Sequence, residues 1–436
     1  MMKRFVSFLS LVCLLLTCLS MPAAGEGADP ADYAAAITLN MLSETVKQEV
    51  TVKTFIDGDT VHFHVPSSVS ETGVLKARFL AINTPESTGK IEEYGKAASQ
   101  FTREKLSAAT SIIIESDTAD WNYDSTGDRR LVWVWYKTEG MTEYRNLNIE
   151  ILQSGLAIAN STANNRYGST AMAALNHAKA EKLGVHSGQR DPDFYYGEAV
   201  ELTLRELRCN LDTYNGIKVA FNGIITMNDN NSVYVESSDP ETGLTFGMSV
   251  YYGFNLPGTA LDILRVGNEV RIVGTVQYYE AGGTWQVSGL SYRMMKPKDP
   301  NNIQKLSDGH KPAYVPTKAE VFANGTVTME NGDALLTLPY AEAVMASSIS
   351  MEGLTVKHAY TTDNEDSSSN GAITLFCEAD GCSIKVRTAV LRDKSGALIT
   401  EDAYLGKTID VRGIVDYFDG GCQIKVFTPD AITVHP

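Results

Sequence analysis

The chain has 436 residues, too many for one small core, and its length favours two to four domains. At 43% hydrophobic and 21% charged it has ordinary globular composition, which excludes a fibrous or wholly disordered chain. A formal charge of −16 argues against a surface that is basic throughout, but the acidity is uneven: residues 51–190 hold 15 Lys and Arg against 16 Asp and Glu, whereas residues 191–436 hold 19 against 32.

Residues 1–25 read as a signal peptide, with a basic start at Lys3 and Arg4, an apolar run from Phe5 to Leu19 and small residues at Ala23-Ala24-Gly25. A retained membrane anchor is the alternative, for which the run is short. No later segment is long and apolar enough to span a bilayer, so the expectation is a secreted protein with no membrane insertion after signal removal. Outside this leader lie Cys209, Cys377, Cys382 and Cys422. In an oxidising compartment a bridge among the last three is open, and one CEADGC pair is a weak zinc signal, so structural use is favoured.

Residues 26–48 read as a lead-in with a helical turn or two. From Glu49 the pattern alternates: Val50, Val52, Thr54 and Ile56, then Val61, Phe63 and Val65 after Asp57-Gly58-Asp59-Thr60, which predicts a β-hairpin. Leu75 to Asn83 reads as a third strand, with Arg78 on one face beside Leu80 and Ile82. A charge there is costly unless paired or turned to a ligand, and an ion pair to Asp57 or Asp59 would suffice. Thr84-Pro85-Glu86 has the form of a helix opener. A helix is expected from Tyr94 to Ala109, strands at Ser111–Ser116 and Arg130–Tyr136, and helices at Leu147–Ser154 and Ser169–Leu183 closed by Gly155 and Gly184. His62 and His64 alternate on a strand without a third ligand and read as strand-face residues. Carboxylates, an amide and an arginine converging from neighbouring strands suit metal-assisted attack on a phosphodiester.

In that order the segments IDGDT, RFLAINTPE, EYGKAASQFT, RRLVWVW, LNIEILQSGLA and AKAEKLGVHSG resemble the motifs of the staphylococcal nuclease-like (thermonuclease) family, over about residues 49–188. The resemblance implies an OB-type five-stranded barrel with three helices, within a mainly β chain. It also implies a calcium-dependent nuclease acting on DNA, RNA or both, with magnesium or manganese as alternatives. Carried over by position, Asp59, Asn83 and Thr84 would hold the metal, the last through its carbonyl. Glu86 would activate water, and Arg78 and Arg129 would clamp phosphate oxygens. The choice of Arg129 over Arg130 rests on spacing to Leu131-Val132-Trp133. The family usually has Asp where this chain has Asn83, so weaker calcium binding is expected. Its two later tyrosines fall here at Ser161 and Ala163, and its Lys-Tyr pair is missing from DSTGDRR. The rival reading is a non-catalytic binding module on a degenerate barrel.

Beyond Asp191–Gly197, read as a linker, and a short helix at Ala199–Arg208, an internal repeat appears. GNEVRIVGTVQYYEAGGTWQV and GKTIDVRGIVDYFDGGCQIKV share glycines seven apart, Gly267/Gly274 and Gly406/Gly413, then an aromatic pair, an acid and a Gly-Gly turn. This resembles tandem OB-like domains, at 199–296 and 319–436, joined by a linker at 297–318. Tyr251, Tyr252, Tyr278, Tyr279 and Trp285 are candidates for base stacking, against a net acidic charge. The tail is expected to meet nucleic acid, a protein or a cell-surface component.

Overall fold

The computed structural model describes residues 32–435 apart from 254, 255, 281, 365, 366 and 419. The expected signal peptide and Asp419 of the repeat lie outside the described residues. Strand outweighs helix, 39% against 17%, so the fold is mainly β, as expected.

The nuclease-like part is built from β1 (Lys47–Phe55), β2 (Thr60–His64), β3 (Val74–Phe79), β4 (Ile82–Asn83), α1 (Gly95–Ser107), β5 (Ala109–Glu115), β6 (Arg130–Thr138), β7 (Arg145–Asn146), α2 (Leu147–Gln153), β8 (Ile158–Ala159) and α3 (Gly168–Ala180). Strands β1, β2 and β3 form an antiparallel meander, β1 also pairs with β5, β5 with β6, and a parallel β3–β6 seam closes the barrel. Closure needs a bend in β1, and its register shifts between Val52 and Thr54. Alternation then buries Val61, Phe63, Leu75, Ala77 and Phe79 inside, with Val132 and Val134 from β6, while Trp133 and Trp135 on the other face of β6 pack against Tyr167 at the start of α3.

Two details differ from the sequence reading. The third strand does not run to Asn83: it breaks at Leu80 and Ala81, where Ala81 takes φ 70, and Asn83 belongs to the short β4–β8 pair. Thr84-Pro85-Glu86 opens no helix either. The Thr84 amide is taken by Asp59, and α1 starts only at Gly95.

The second barrel comprises β9 (Val200–Glu201), α4 (Leu204–Cys209), α5 (Leu211–Tyr214), β10 (Lys218–Asn228), β11 (Ser232–Ser238), β12 (Thr245–Tyr251), α6 (Gly258–Leu261), β13 (Glu269–Tyr279), β14 (Thr284–Ser288) and β15 (Gln304–Ser307). The third comprises β16 (Val315–Pro316), α7 (Ala319–Asn324), β17 (Thr326–Asn331), β18 (Ala334–Pro339), α8 (Tyr340–Ala343), β19 (Ser348–Thr361), β20 (Ile373–Ala379), β21 (Cys382–Thr388), β22 (Thr408–Phe418), β23 (Gly421–Val426) and β24 (Ile432–His435). In each, three meandering strands are followed by a fourth that pairs with the first and a fifth that runs parallel to the third, the topology of the nuclease-like barrel. The first strand is bulged in all three.

Segments read as connectors are packed. In the lead-in, Ala34 is buried and Thr45 donates to the buried Glu115 carboxylate at 2.5 Å. The Asp191 carboxylate accepts the Tyr94 amide at 2.6 Å, so 191–197 is anchored. The stretch 199–208 is a strand followed by α4, opened by a Thr203/Glu206 capping box. Residues 297–318 give β15 to the second barrel and β16 to the third. Cys209, Cys377, Cys382 and Cys422 are all free thiols, so the bridge left open by the sequence is not formed. Among the described residues no helix is long and apolar enough to cross a membrane.

Candidate active site

Register explains how the site assembles. Pairing of β2 with β3 sets Thr60 opposite Arg78, which brings the guanidinium to the neighbouring Asp59. Arg78 binds Asp59 Oδ1 at 2.6 Å and also donates to Asn83 Oδ1. Asp59 is 1% exposed; its Oδ2 accepts the Thr84 amide at 2.7 Å and its Oδ1 the Thr60 hydroxyl at 3.1 Å. Four of the expected residues, Asp59, Arg78, Asn83 and Thr84, therefore share one hydrogen-bonded cluster. The ion pair foreseen for Arg78 is present, and its partner is Asp59.

Asp57, which the sequence reading left out of the site, is also buried, and its carboxylate accepts the Asp59 amide at 3.0 Å. Burial, and then the Asp57 charge, push Asp59 up to about 7 in spite of Arg78. Two acids in a DGD turn between apolar strands were the signal available for this.

Glu86 stands on the loop that follows. No hydrogen bond or ion pair to its carboxylate forms among the described residues, and burial, followed by the Asp57 charge, raises its pKa while Arg78 and Arg129 pull the other way. Arg129 thus acts on Glu86 through its field. Its guanidinium is held in its own loop, by Asp124 Oδ2 at 2.6 and 2.7 Å. Arg130 turns elsewhere, to the Val69 carbonyl and over the rings of Trp121 and Tyr123. His62 is half-buried and His64 exposed on β2, as strand-face residues.

Among the described residues no group of three or more His, Cys, Asp or Glu gathers at one point. The expected ligands are one carboxylate, one amide oxygen and one carbonyl, with Asp57 close by. All are hard oxygens, and a carboxylate pair that one guanidinium leaves partly uncompensated has the charge a divalent cation seeks. The residues fit such an ion chemically, although Arg78 spans the same two side chains.

An open cavity of 680 Å³ adjoins Asn83 and Pro85, walled by Ile158, Tyr94 and Phe194. Ser161 and Ala163 bring no ring to it. The tail aromatics do not share one face: Tyr278 and Trp285 tilt together at 5.2 Å, Tyr252 donates to Asn228, and Tyr251 lies against Gly89 of the nuclease-like domain.

Fold and site together define an OB-type barrel with an acid and arginine cluster at one end, followed by two more barrels of like topology. Residues 76–187 match the family described as staphylococcal nuclease homologue, and this part of the chain is a staphylococcal nuclease-like domain. The matched segment holds Arg78, Asn83, Thr84, Glu86 and Arg129, and begins after Asp59. No curated protein matches the chain.

Proposed function

We propose that the chain is an exported, calcium-dependent nuclease that hydrolyses phosphodiester bonds of DNA, RNA or both. The observation that carries this is the buried Asp59–Arg78–Asn83–Thr84 cluster with the unpaired Glu86 carboxylate beside it. Asp59, Asn83 and the Thr84 carbonyl would hold the cation, whose chemistry is to polarise the phosphoryl group. Glu86 takes a proton from water, the oxygen attacks phosphorus, and the bond to the 5′-oxygen breaks, that oxygen taking a proton from solvent to leave as the 5′-hydroxyl, with a 3′-phosphate on the other fragment. A carboxylate of raised pKa is a better base for that step. Arg78 and Arg129 bind the phosphate oxygens as charge accumulates. Export rests on the amino-terminal basic and apolar segments, and the role would be degradation of extracellular nucleic acid.

Asn83, neutral and engaged by Arg78, favours the rival, a binding module without catalysis. The two part in one experiment: cleavage of single-stranded DNA and RNA by the chain with calcium and with chelator, beside Glu86→Gln. The enzyme loses activity with chelator and about 10²-fold or more in the variant, the contribution of a general base. Nucleic-acid binding without cleavage, unaltered by Glu86→Gln or chelator, would establish the rival.

A further inference from the structure

Glu86 opens a surface loop, residues 86–94, that its own barrel holds by few bonds. The Glu86 amide donates to the Glu92 carboxylate at 3.1 Å and the Glu92 amide returns to the Glu86 carbonyl at 2.9 Å. Between them run Ser87, Thr88, Gly89, Lys90 and Ile91, all but the last small or polar, with Gly89 at φ +70, the composition of a loop that opens easily.

What covers this loop is the second barrel. From β13, Gln277 Nε2 donates to the Ser87 carbonyl at 2.6 Å. The other end of that amide accepts the hydroxyl of Ser288, a buried residue of β14, which fixes the side of the amide facing the loop. The Tyr251 ring closes over Gly89, where an added Cβ would stand 3.3 Å away, and Gly289 approaches the Gly89 carbonyl so that a Cβ on it would lie at 3.5 Å. Arg103 of α1 pairs with Glu280 beyond the end of β13. None of these tail residues lies in the segment matched to the nuclease family, which ends at 187.

We propose that the second barrel holds the Glu86 loop in place, and that Gln277 is the positioning residue through which it does so. The catalytic consequence rests on the reading of Glu86 as the base. Gln277 donates from a strand paired on both sides, so the carbonyl next to Glu86 is pinned to a rigid element. A base displaced by about 1 Å costs on the order of 10²-fold in rate, which makes a single bond at this position consequential.

The test uses the full chain with Gln277→Ala and Ser288→Ala, followed by hydrogen exchange at amides 87–93 and by steady-state kinetics on single-stranded DNA with calcium. Both variants are expected to speed exchange in the loop about fivefold, as loss of one hydrogen bond implies, to lower kcat by at least that factor, and to move KM less than twofold. Protection of β13 amides reports whether the barrel stays folded. If Gln277→Ala disturbs it, Ser288→Ala, which keeps the Gln277 side chain, decides. Unchanged exchange at 87–93 with β13 intact overturns the proposal. Faster exchange with an unchanged kcat overturns the positioning role. A wild-type chain that cleaves neither DNA nor RNA defeats the nuclease reading instead, and loop exchange still decides whether the barrel holds the loop.

Discussion

Asp59 has a second carboxylate behind it, one guanidinium in front and almost no water, and its ordinary range near 3.8 moves to about 7. Between those values the folded chain binds a proton that the unfolded chain has released, so stability falls as pH rises through that window. In chelator, the urea midpoint is therefore expected to drop from pH 5 to pH 8, and Asp59→Asn should flatten that slope; an equal slope in the variant would assign it to other groups. Asn83 supplies the complementary test. An aspartate there restores a charged oxygen, and calcium affinity by calorimetry should rise on the order of tenfold, since ligand charge is a main control of affinity. No change would remove Asn83 from the ligand set. Asn83 was placed by its position in the family motifs, past the break at Ala81 where alternation no longer applies, while the Arg78–Asp59 ion pair was legible because a charge on an apolar strand face needs a partner. Asp57 and the Asp124 grip on Arg129 were not, because both depend on turn geometry that periodicity does not encode.

Among the elements, the hairpin, the helix order, the start of α1 beside Tyr94 and the closure of α2 at Gly155 followed the sequence pattern, whereas the opener read at Thr84-Pro85-Glu86 did not. Helix α3 ends at Ala180, with Lys182 and not Gly184 in the left-handed turn that closes it. Thr84-Pro85-Glu86 carries the local marks of a helix opener, yet no helix follows it, and the Thr84 amide is engaged by the Asp59 carboxylate of the site. The helix begins instead at Gly95, against the Glu86 carbonyl, where a Cβ would fall 2.2 Å from the oxygen. Gly95→Ala sets two effects against each other. Alanine improves helix propensity by about 1 kcal/mol, but the clash is with backbone, and overpacking of this kind costs about 1–3 kcal/mol. The net expectation is a chain destabilised by about 1 kcal/mol in urea unfolding, with the Glu86 loop shifted and cleavage reduced. A stabilised variant of full activity would mean that the loop yields freely. The repeat was legible for a related reason. Gly274 and Gly413 sit where the fifth strand crosses the fourth, and at both a Cβ would lie 2.6 Å from a carbonyl, of Ser288 and of Lys425.

At the scale of the molecule, the two tail barrels share a seam that sequence pattern could not reveal, because its parts lie about a hundred residues apart. Glu236 of β11, buried, accepts the Ala313 amide at 2.7 Å and the Ser348 amide and hydroxyl at 2.7 and 2.9 Å. Nearby, Arg208 bridges the carbonyls of Gly247 and Met345 at 2.5 and 3.2 Å, and Gly247 packs so closely that a Cβ would meet the Ala346 backbone at 2.2 Å. Burial raises the Glu236 pKa, so the carboxylate is kept at a cost that its three donors offset. Glu236→Ala would leave the buried Ser348 amide of the third barrel, and the Ala313 amide ahead of it, without their acceptor, a loss of about 3 kcal/mol. If the seam joins the barrels into one cooperative unit, amides of β11–β14 and of β19–β23 lose protection at the same urea concentration in the wild type. In the variant both sets shift down, or separate. Loss of protection confined to residues near 313 and 348, with both barrel cores unmoved, would reduce Glu236 to a local fastening. The seam's rigidity bears on function as well, since the second barrel is also the one that reaches the Glu86 loop through Gln277.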